Sequence, residues 1–349
     1  MHLHNIKKKQ LQAFHQYKKE LSVIWEIPKT STKKEWVSYT KDKKTRTDVD
    51  FGKNIITIET VAKSQKEANQ KLQLALAKAV TIDTKTLQDS DPLEIILAKI
   101  NKPKGIIDAQ VKAEPILSTV IFKKKPTKKS VQKYIKKTIN INNIKSIQSN
   151  KVKYARVYSI KVKLPKDTMI KRSKLYVHEI QKQASKEELP ISLIFAVMHT
   201  ESNFNPRARS HIPAYGLMQI VPETAGIDTY RYLYKKRRLV TSTYLYNSTN
   251  NIRMGSAYLH ILYYNYLKKI KNPQSRLFCT IAAYNTGAGN IAYAFTRKYN
   301  MSKAAPIINK LEPQEVYLKL MRSLRWDEPK KYLKKVSKRM SAYHKIYGS

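Results

Sequence analysis

The chain has 349 residues, which is long enough to bury a sizeable core and to form two domains. Hydrophobic residues make up 42% of the chain, and no stretch approaches the roughly 20 apolar residues of a membrane-spanning helix, which argues against an integral helical membrane protein. The 68 Lys and Arg residues against 25 Asp and Glu residues give a formal net charge of +43, which predicts attraction to polyanions such as nucleic acid, anionic lipid or an acidic polymer. Because the Lys residues are spread along the whole chain, and Lys, Ile, Asn and Tyr are abundant together, AT-rich codon usage is favoured as the main origin of this charge.

The first half of the sequence mixes helix and strand patterns. Up to about Pro28 apolar residues recur at helical spacing, and the capping-box pattern from Ser64 to Glu67 opens another helix. A hairpin is predicted from the alternation in Thr45–Phe51 and the β-branched run Ile55–Val61. The other predicted elements of this half are a strand over Val111–Phe122, a helix over Pro126–Ile147 and a strand over Lys151–Leu164. No catalytic cluster is recognisable here, which favours a scaffold or recognition module.

Pro165-Lys166 marks the predicted domain boundary, because strand patterns fade beyond it and helical periodicity takes over. The sequence therefore predicts an α+β N-terminal domain over residues 1–165 and an all-α domain over residues 166–349. The predicted helices of the second domain are Thr168–Ser185, Pro190–Thr200, Asn251–Lys269, Gln274–Tyr284, Gly289–Tyr299, Pro313–Leu324 and Pro329–Tyr347.

Glu201 is the most informative residue of the sequence. It follows the strongly apolar helical segment Ile191–Met198, where a carboxyl group is poorly hydrated. Its pKa is therefore expected to rise toward the range in which it donates a proton near neutral pH. Two later segments predict the walls of a cleft around it: the apolar, amide-bearing run Gly216–Ile220, and Tyr284-Asn285 just before a tight Gly-rich turn. Taken alone, Glu201 is equally well explained as the exposed end of a helix.

The order and spacing of these blocks resemble the lytic transglycosylases, bacterial enzymes with a goose-type lysozyme-like fold that cleave peptidoglycan. The matching blocks are Glu201-Ser202, Ser210, Gly216–Ile220, Pro222, Thr224-Ala225, Asn251–Leu259 and Ala283–Gly289. Upstream, Asp50–Thr60 resembles the N-terminal domain of a membrane-bound member of this family. One departure is Pro213-Ala214, where many relatives carry Gly-Ala, and it changes the expected shape of that loop. The resemblance implies that the all-α domain is a lysozyme-like catalytic domain.

The resemblance also implies a chemistry that needs a single carboxylate. Most glycosidases use two, but Glu223 and Asp228 lie in a polar loop, and nothing in the pattern directs them at Glu201. In the family, one Glu protonates the bond between N-acetylmuramic acid and N-acetylglucosamine and then acts as the base. No water is consumed, and the product carries a 1,6-anhydromuramoyl end.

Individual residues receive roles from the same match. Glu201 is the expected catalytic residue, for which the match makes the helix-end alternative a minor one. The residues expected to bind substrate are Ser210, Met218, Gln219, Tyr284, Asn285 and Tyr317. For Ser210, Met218 and Tyr317, a packing role remains an alternative.

Two other functions stay open at this point. One is a hydrolytic muramidase on the same fold, and the other is a basic protein that binds wall polymer or nucleic acid and keeps only a relic of the site. The expected partners are peptidoglycan glycan strands and an anionic membrane surface, and no specific nucleic acid is expected. No cofactor is expected, and the His residues share no metal-ligand spacing, so no metal site is predicted.

The resemblance implies a location at the periplasmic face of the outer membrane, where membrane-bound members are lipoproteins. The first residues of this sequence show neither the apolar segment of a secretory signal nor a Cys that could carry lipid. Cys279, the single cysteine, lies in an apolar helical pattern, which predicts a buried and inert thiol.

Overall fold

The computed structural model describes residues 2–91, 94–96, 105–211 and 213–348. The chain divides into two compact units. Unit 1 comprises Met1–Leu175, Ser202–Gln219 and Thr241–Ser248, and unit 2 comprises Tyr176–Glu201, Ile220–Val240 and Thr249–Ser349. Each unit is therefore assembled from three separate stretches of sequence.

Unit 1 contains a five-stranded antiparallel sheet with the strand order β1-β2-β3-β5-β4. The strands are β1 (Glu35–Tyr39), β2 (Thr45–Asp50), β3 (Ile55–Ala62), β4 (Lys145–Gln148) and β5 (Arg156–Lys163). β2 and β3 confirm the predicted hairpin. Its turn is stabilised by Asp50, whose Oδ1 accepts hydrogen bonds from the backbone N–H groups of Gly52 and Lys53, both at 2.8 Å.

Helices make up most of the rest of the described chain. In chain order they are α1 (His2–Ser22), α2 (Gln65–Thr81), α3 (Thr84–Ser90), α4 (Ser118–Ile121), α5 (Lys128–Thr138), α6 (Thr168–Lys174), α7 (Val177–Glu187), α8 (Ile191–Ser202), α9 (Ile227–Tyr234), α10 (Ser242–Tyr246), α11 (Ser248–His260), α12 (Pro273–Thr286), α13 (Ala288–Thr296), α14 (Met301–Ile308), α15 (Pro313–Ser323) and α16 (Asp327–Tyr347). The segments Pro222–Gly226 and Ile261–Tyr266 are π-helical, and Ile141–Asn143 is a short 3₁₀ turn.

The main core of unit 1 lies between α2 and the sheet. Leu72 and Leu76 on one face of α2 are fully buried in the same cluster as Ile56 and Ile58 of β3. The first hydrogen bond of the predicted capping box at the N-terminus of α2 is formed, since the Oγ of Ser64 accepts the backbone N–H of Glu67 at 3.2 Å. The Glu67 carboxylate completes the turn by accepting the N–H of Lys63 at 3.0 Å. A second, smaller cluster packs Tyr17, Leu21 and Trp25 of the N-terminal segment against Val37 and Tyr39 of β1.

The described residues of unit 2 are mainly helical, and none of the five named strands lies among them. α12 packs against α13, α15 and α16. The side chains from Leu193 to Met198 of α8 are fully buried, as the apolar run of that helix predicts. Cys279 of α12 is also buried, and burial raises the pKa of its thiol, which confirms the prediction of a buried, inert residue. None of the described helices is long and apolar enough to cross a membrane.

The predicted helices of the second half are all present, although Thr168–Ser185 is divided into α6 and α7, and Asn251–Lys269 consists of α11 followed by the π-helical segment Ile261–Tyr266. The predicted strand over Val111–Phe122 is wrong. That stretch makes a single bridge, from Pro115 to Asp83, and ends in α4. A proline cannot donate to a strand ladder, so the apolar residues around Pro115 form no strand. The predicted helix over Pro126–Ile147 stops at Thr138, and the edge strand β4 follows it. All four side chains of β4 are exposed, so no hydrophobic alternation marked it in the sequence.

Candidate active site

Glu201 lies in the last turn of α8 and belongs to unit 2. Its side chain is only 5% exposed, so the carboxyl group is held in a largely dry environment by the helix that carries it. Surface glutamates at helix ends are normally well hydrated. The burial of Glu201 therefore removes the alternative of an exposed helix end and leaves a carboxyl group with restricted access to water.

Two tyrosines from other helices of unit 2 face this carboxyl group. Tyr284 comes from α12 and Tyr332 from α16. The pKa of each hydroxyl is raised well above its ordinary value, chiefly by burial and next by the negative charge of Glu201. Both hydroxyls therefore stay protonated and can act as hydrogen-bond donors beside the carboxylate. The Tyr332 hydroxyl is buried and does not complete a well-formed hydrogen bond with any described residue, so it is available to Glu201 or to a substrate oxygen.

α16 is also joined to α8 at the two residues that directly precede Glu201 in sequence. The Nη1 of Arg339 donates to the Oγ1 of Thr200 at 2.8 Å, and that hydroxyl donates in turn to the carbonyl of Ala196 at 2.7 Å. One turn further along α16, the Tyr343 hydroxyl lies 3.0 Å from the Nδ1 of His199. Burial lowers the pKa of Arg339. These contacts fix the backbone of the turn that carries Glu201 relative to Tyr332.

The remaining predicted residues of unit 2 are more accessible. Asn285 follows Tyr284 directly and is partly exposed. Tyr317 of α15 is also partly exposed, and its ring packs edge-on against Phe278 with centroids 5.2 Å apart. Both side chains can therefore contact a ligand, and Tyr317 has in addition the packing role that the sequence left open.

The segment after Glu201 belongs to unit 1 and has an unusual backbone. Asn203 and Phe204 have φ values of 52° and 58°, in the left-handed region that bulky residues rarely adopt. The side chain of Asn203 donates to the carbonyl of Phe51 at 3.3 Å, at the turn between β2 and β3. The Ser202 hydroxyl donates to the carbonyl of Leu217 at 2.7 Å and so fixes the Gly216–Ile220 block. Backbone strain of this kind persists only where surrounding contacts hold it in place, and it is common near functional sites.

Ser210 and Gln219 lie in one tight loop of unit 1. The Oγ of Ser210 accepts the N–H of Ala214 at 3.2 Å, and this hydroxyl keeps its own hydrogen for another acceptor. The amide nitrogen of Gln219 donates to the carbonyls of Ala208 and Gly216 at 3.1 and 3.0 Å. Its Oε1 has no partner among the described residues. Gln219 can therefore offer a ligand an acceptor but not a donor.

Met218 is fully buried, whereas the sequence predicts that it lines the cleft. Unit 2 thus brings Glu201 and Tyr284 together, and unit 1 brings Ser210, Met218 and Gln219 together. Tyr332 and Arg339 are absent from the prediction. Their helical spacing within a Lys-rich segment predicts a buried face, but it does not indicate which buried side chain meets the carboxylate.

Comparisons with known proteins show the family of the chain. Residues 178–307 match the Transglycosylase SLT domain. Membrane-bound lytic murein transglycosylase C from Serratia proteamaculans is 32% identical over 89% of this chain and 83% of its own length, and the Klebsiella pneumoniae protein of that name is 32% identical over 89% and 82%. The chain belongs to the lytic murein transglycosylase family. The fold class and the enzyme class predicted from the sequence, an α+β region followed by a lysozyme-like domain of a lyase, are thereby confirmed.

Solved structures of similar proteins include two lytic transglycosylases. An inactive mutant of Slt from Pseudomonas aeruginosa is 25% identical, with a TM-score of 0.38 over 49% of this chain and 24% of its own. The 70 kDa soluble lytic transglycosylase from Escherichia coli is 24% identical, with a TM-score of 0.40 over 52% of this chain and 26% of its own.

Proposed function

We propose that the protein cleaves the β-1,4 bond between N-acetylmuramic acid and N-acetylglucosamine in peptidoglycan without consuming water, with Glu201 as both acid and base. The observation that carries this proposal is the buried Glu201 carboxyl group with the protonated hydroxyls of Tyr284 and Tyr332 beside it. Family membership and the murein named for the relatives support the substrate class.

The proposed reaction has two steps. Protonated Glu201 gives its proton to the oxygen of the glycosidic bond, the bond from that oxygen to C1 breaks, and the carbonyl oxygen of the substrate's own N-acetyl group stabilises C1. The Glu201 carboxylate then takes the proton of the muramoyl C6 hydroxyl while O6 forms a bond to C1. The product is a 1,6-anhydro sugar, and Glu201 is protonated again. A buried carboxyl group suits this cycle, because water that could intercept C1 is kept away.

The two tyrosines have a clear part in this scheme. When Glu201 becomes a carboxylate, a neutral hydroxyl donor beside it stabilises the charge and directs one oxygen toward the C6 hydroxyl. Tyr332 is suited to this because its hydroxyl is buried and not committed to another described residue. A second protein carboxylate is not needed. Asp228, one of the two other carboxylates considered in the sequence, already accepts a hydrogen bond from the Tyr266 hydroxyl at 3.0 Å.

The substrate-binding roles follow from the free groups of each side chain. The Oε1 of Gln219 can accept the N–H of an N-acetyl group, and the Ser210 hydroxyl can donate to a sugar oxygen. Asn285 and Tyr317 supply an amide and a ring at partly exposed positions. Met218 contributes as packing behind the loop. We further propose that the protein acts at the periplasmic face of the outer membrane, as the term membrane-bound in the relatives' names suggests, and that its positive charge aids approach to anionic surfaces.

The test is the fate of purified murein with the wild-type protein and with Glu201→Gln. We expect Glu201→Gln to lose at least ~10²–10⁴-fold in rate, since its amide cannot exchange the proton. The exposed residue Glu188 on the same unit provides the matched control, and Glu188→Gln should retain full activity. Retention of more than about a tenth of the wild-type rate in Glu201→Gln would contradict the assignment.

Mass spectrometry of the released fragments separates the two enzymatic alternatives. Ends of the 1,6-anhydromuramoyl type are lighter by one water than the reducing ends that a hydrolytic muramidase produces. Fragments with only reducing ends would therefore replace the proposed reaction with hydrolysis on the same fold.

A further inference from the structure

A small cavity in unit 1 is not used by the proposed reaction. It encloses about 40 Å³, which is room for a few water molecules or one small planar group. Five aromatic residues contribute to its wall: Phe14, Tyr17, Trp36, Tyr39 and Tyr246. The charged residues on its wall are Lys29, Asp91, Glu94, Arg207 and Arg209.

Most of these charges are already paired. Arg207 forms an ion pair with Glu94 at 3.1 Å, both side chains being less than 9% exposed, and its guanidinium lies 3.7 Å over the ring of Tyr246. Lys29 pairs with Asp48 at 2.6 Å. Unlike Arg207, Arg209 has no carboxylate within ion-pair distance among the described residues.

Arg209 is held in place by aromatic rings, and the carboxylates of Glu94 and Asp91 act on its charge without forming an ion pair with it. Its guanidinium lies over the rings of Phe14 and Tyr215, with centroids at 5.7 and 5.8 Å, and it donates no hydrogen bond to a described residue. Its backbone N–H is bound to the carbonyl of Thr32 at 3.4 Å, which fixes the chain at this point. A partly buried guanidinium that keeps its donors free is a preformed partner for a planar anion.

Neutral donors on the same wall also lack partners. The indole N–H of Trp36 is buried without a hydrogen bond to any described residue. The hydroxyls of Tyr17 and Tyr246 likewise form none with the described chain. Burial raises the pKa of both, and neighbouring carboxylates add to the effect, so they remain protonated donors. Buried donors are nearly always satisfied in folded proteins, so the unpaired indole N–H of Trp36 indicates an acceptor that enters from outside, and the two hydroxyls add further donors to the wall.

We propose that this cavity binds a carboxylate group, with Arg209 as its principal partner. The acids on the wall do not compete for the role of ligand partner, because Glu94 is occupied by Arg207 and by the Gln88 amide, and an oxygen of Asp91 accepts the N–H of Glu94 at 3.3 Å. The negative charges of these acids repel a doubly charged anion more strongly than a singly charged one, which favours a carboxylate over a phosphate dianion. The volume is too small for a sugar ring but fits a carboxylate end.

Peptide stems of murein carry such carboxylates, and free organic acids carry the same group. The assignment to murein rests on the proposed function, whereas the carboxylate chemistry does not. A stem carboxylate in this cavity would give the protein a contact with its substrate that is separate from the glycan strand.

The test follows the side-chain N–H resonance of Trp36 in ¹⁵N-labelled full-length protein, assigned with Trp36→Phe. The titrants are sodium acetate, acetamide as its neutral analogue, sodium chloride at matched ionic strength, and a murein stem tetrapeptide. We expect acetate and the tetrapeptide to shift the resonance, and acetamide and chloride to leave it unchanged. Tighter binding of the tetrapeptide than of acetate assigns the ligand to murein, and equal binding assigns it to free carboxylates.

Variants show whether Arg209 carries the binding. Arg209→Gln should weaken it by at least about tenfold, since a charge-assisted contact is lost, and the exposed control Arg238→Gln should leave it unchanged. If Arg209→Gln does not fold, Tyr246→Phe tests the same wall while keeping the ring under Arg207. An acetamide response equal to that of acetate, or unchanged affinity in Arg209→Gln, would overturn the proposal. Cleavage of murein by the wild-type protein is a separate measurement, so failure here leaves the proposed function intact.

Discussion

Tyr332→Phe tests the central feature of the candidate active site, because it deletes one hydroxyl and keeps the ring. That hydroxyl is buried beside Glu201 and makes no well-formed hydrogen bond with a described residue. A buried polar group without a full partner costs about 1–3 kcal/mol of desolvation, so its removal should leave the free energy of unfolding unchanged or slightly higher. The turnover of Tyr332→Phe, in contrast, should fall. A hydrogen bond to a charged group is worth about 1.5–3 kcal/mol, which corresponds to a loss of roughly 10- to 100-fold in turnover.

The assay combines two measurements on the same preparation. Release of soluble fragments from purified murein, followed at several murein concentrations, gives the maximal rate, and thermal unfolding gives the stability. We expect a large loss in the first and none in the second. A Tyr332→Phe protein that keeps more than half the wild-type maximal rate would refute the reasoning, as would a loss of activity that merely follows a lower melting temperature.

Tyr343 offers the matched control on the same helix. Its hydroxyl lies 3.0 Å from the Nδ1 of His199, so Tyr343→Phe removes a formed hydrogen bond, away from the carboxyl group of Glu201. We expect Tyr343→Phe to lose about 1 kcal/mol of stability and to keep its turnover within about twofold. The two variants should therefore show opposite patterns of stability and activity.

Three further predictions concern stability. Glu94→Gln leaves the buried guanidinium of Arg207 without its ion-pair partner, and chemical denaturation should show a loss of about 3–5 kcal/mol; a loss below about 1 kcal/mol would contradict the buried pair. Ser202→Ala removes the bond to the Leu217 carbonyl and should cost about 1–2 kcal/mol in the same measurement, with lower activity because the Gly216–Ile220 block is freed; Ser341→Ala, on the exposed face of α16, should change neither. Burial, with smaller effects of Asp228 and Tyr266, raises the pKa of Tyr258 to about 12, so the folded chain keeps a proton that the unfolded chain loses above pH 10, and stability should fall as the pH rises past 10. At pH 11 this difference in proton binding lowers the free energy of unfolding by about 1 kcal/mol relative to pH 8. Tyr258→Phe should not show this part of the loss, and equal losses in both proteins would exclude Tyr258 as the source.

The parts of the fold that local sequence determines were predictable. The hairpin of β2 and β3 is marked by alternation and a turn, and α8 by an unbroken apolar run that leads to Glu201. The edge strand β4 was not predictable, because its side chains are all exposed and it is held only by backbone pairing with β5. In Val111–Phe122 the opposite error occurs: the apolar pattern predicts a strand, but these residues form only a single bridge at Pro115 and no ladder.

The candidate site shows the same division. Motif order predicted Glu201 and Tyr284 as site residues, because each belongs to a short block of sequence. Tyr332 lies more than a hundred residues after Glu201, in a helix whose spacing indicates only that one face is buried. The hydrogen bonding of Gln219 could not be predicted either, since its amide nitrogen donates to two carbonyls of its own loop. Which hydrogen-bonding groups of a residue remain free depends on the folded loop and not on the residue type.

The segment Ser202–Gln219 belongs to unit 1, and it forms hydrogen bonds with residues beside the strands of the N-terminal sheet. The Phe51 carbonyl at the tip of the hairpin accepts hydrogen bonds from Asn203 at 3.3 Å and from Arg172 of α6 at 3.2 Å. Asn205 donates in addition to the carbonyl of Lys33, just before β1. These bonds hold the left-handed backbone that directly follows Glu201. The sheet region of unit 1 therefore anchors the segment that begins at Ser202, because Asn203 and Asn205 take their hydrogen-bond partners from the hairpin turn and from Lys33.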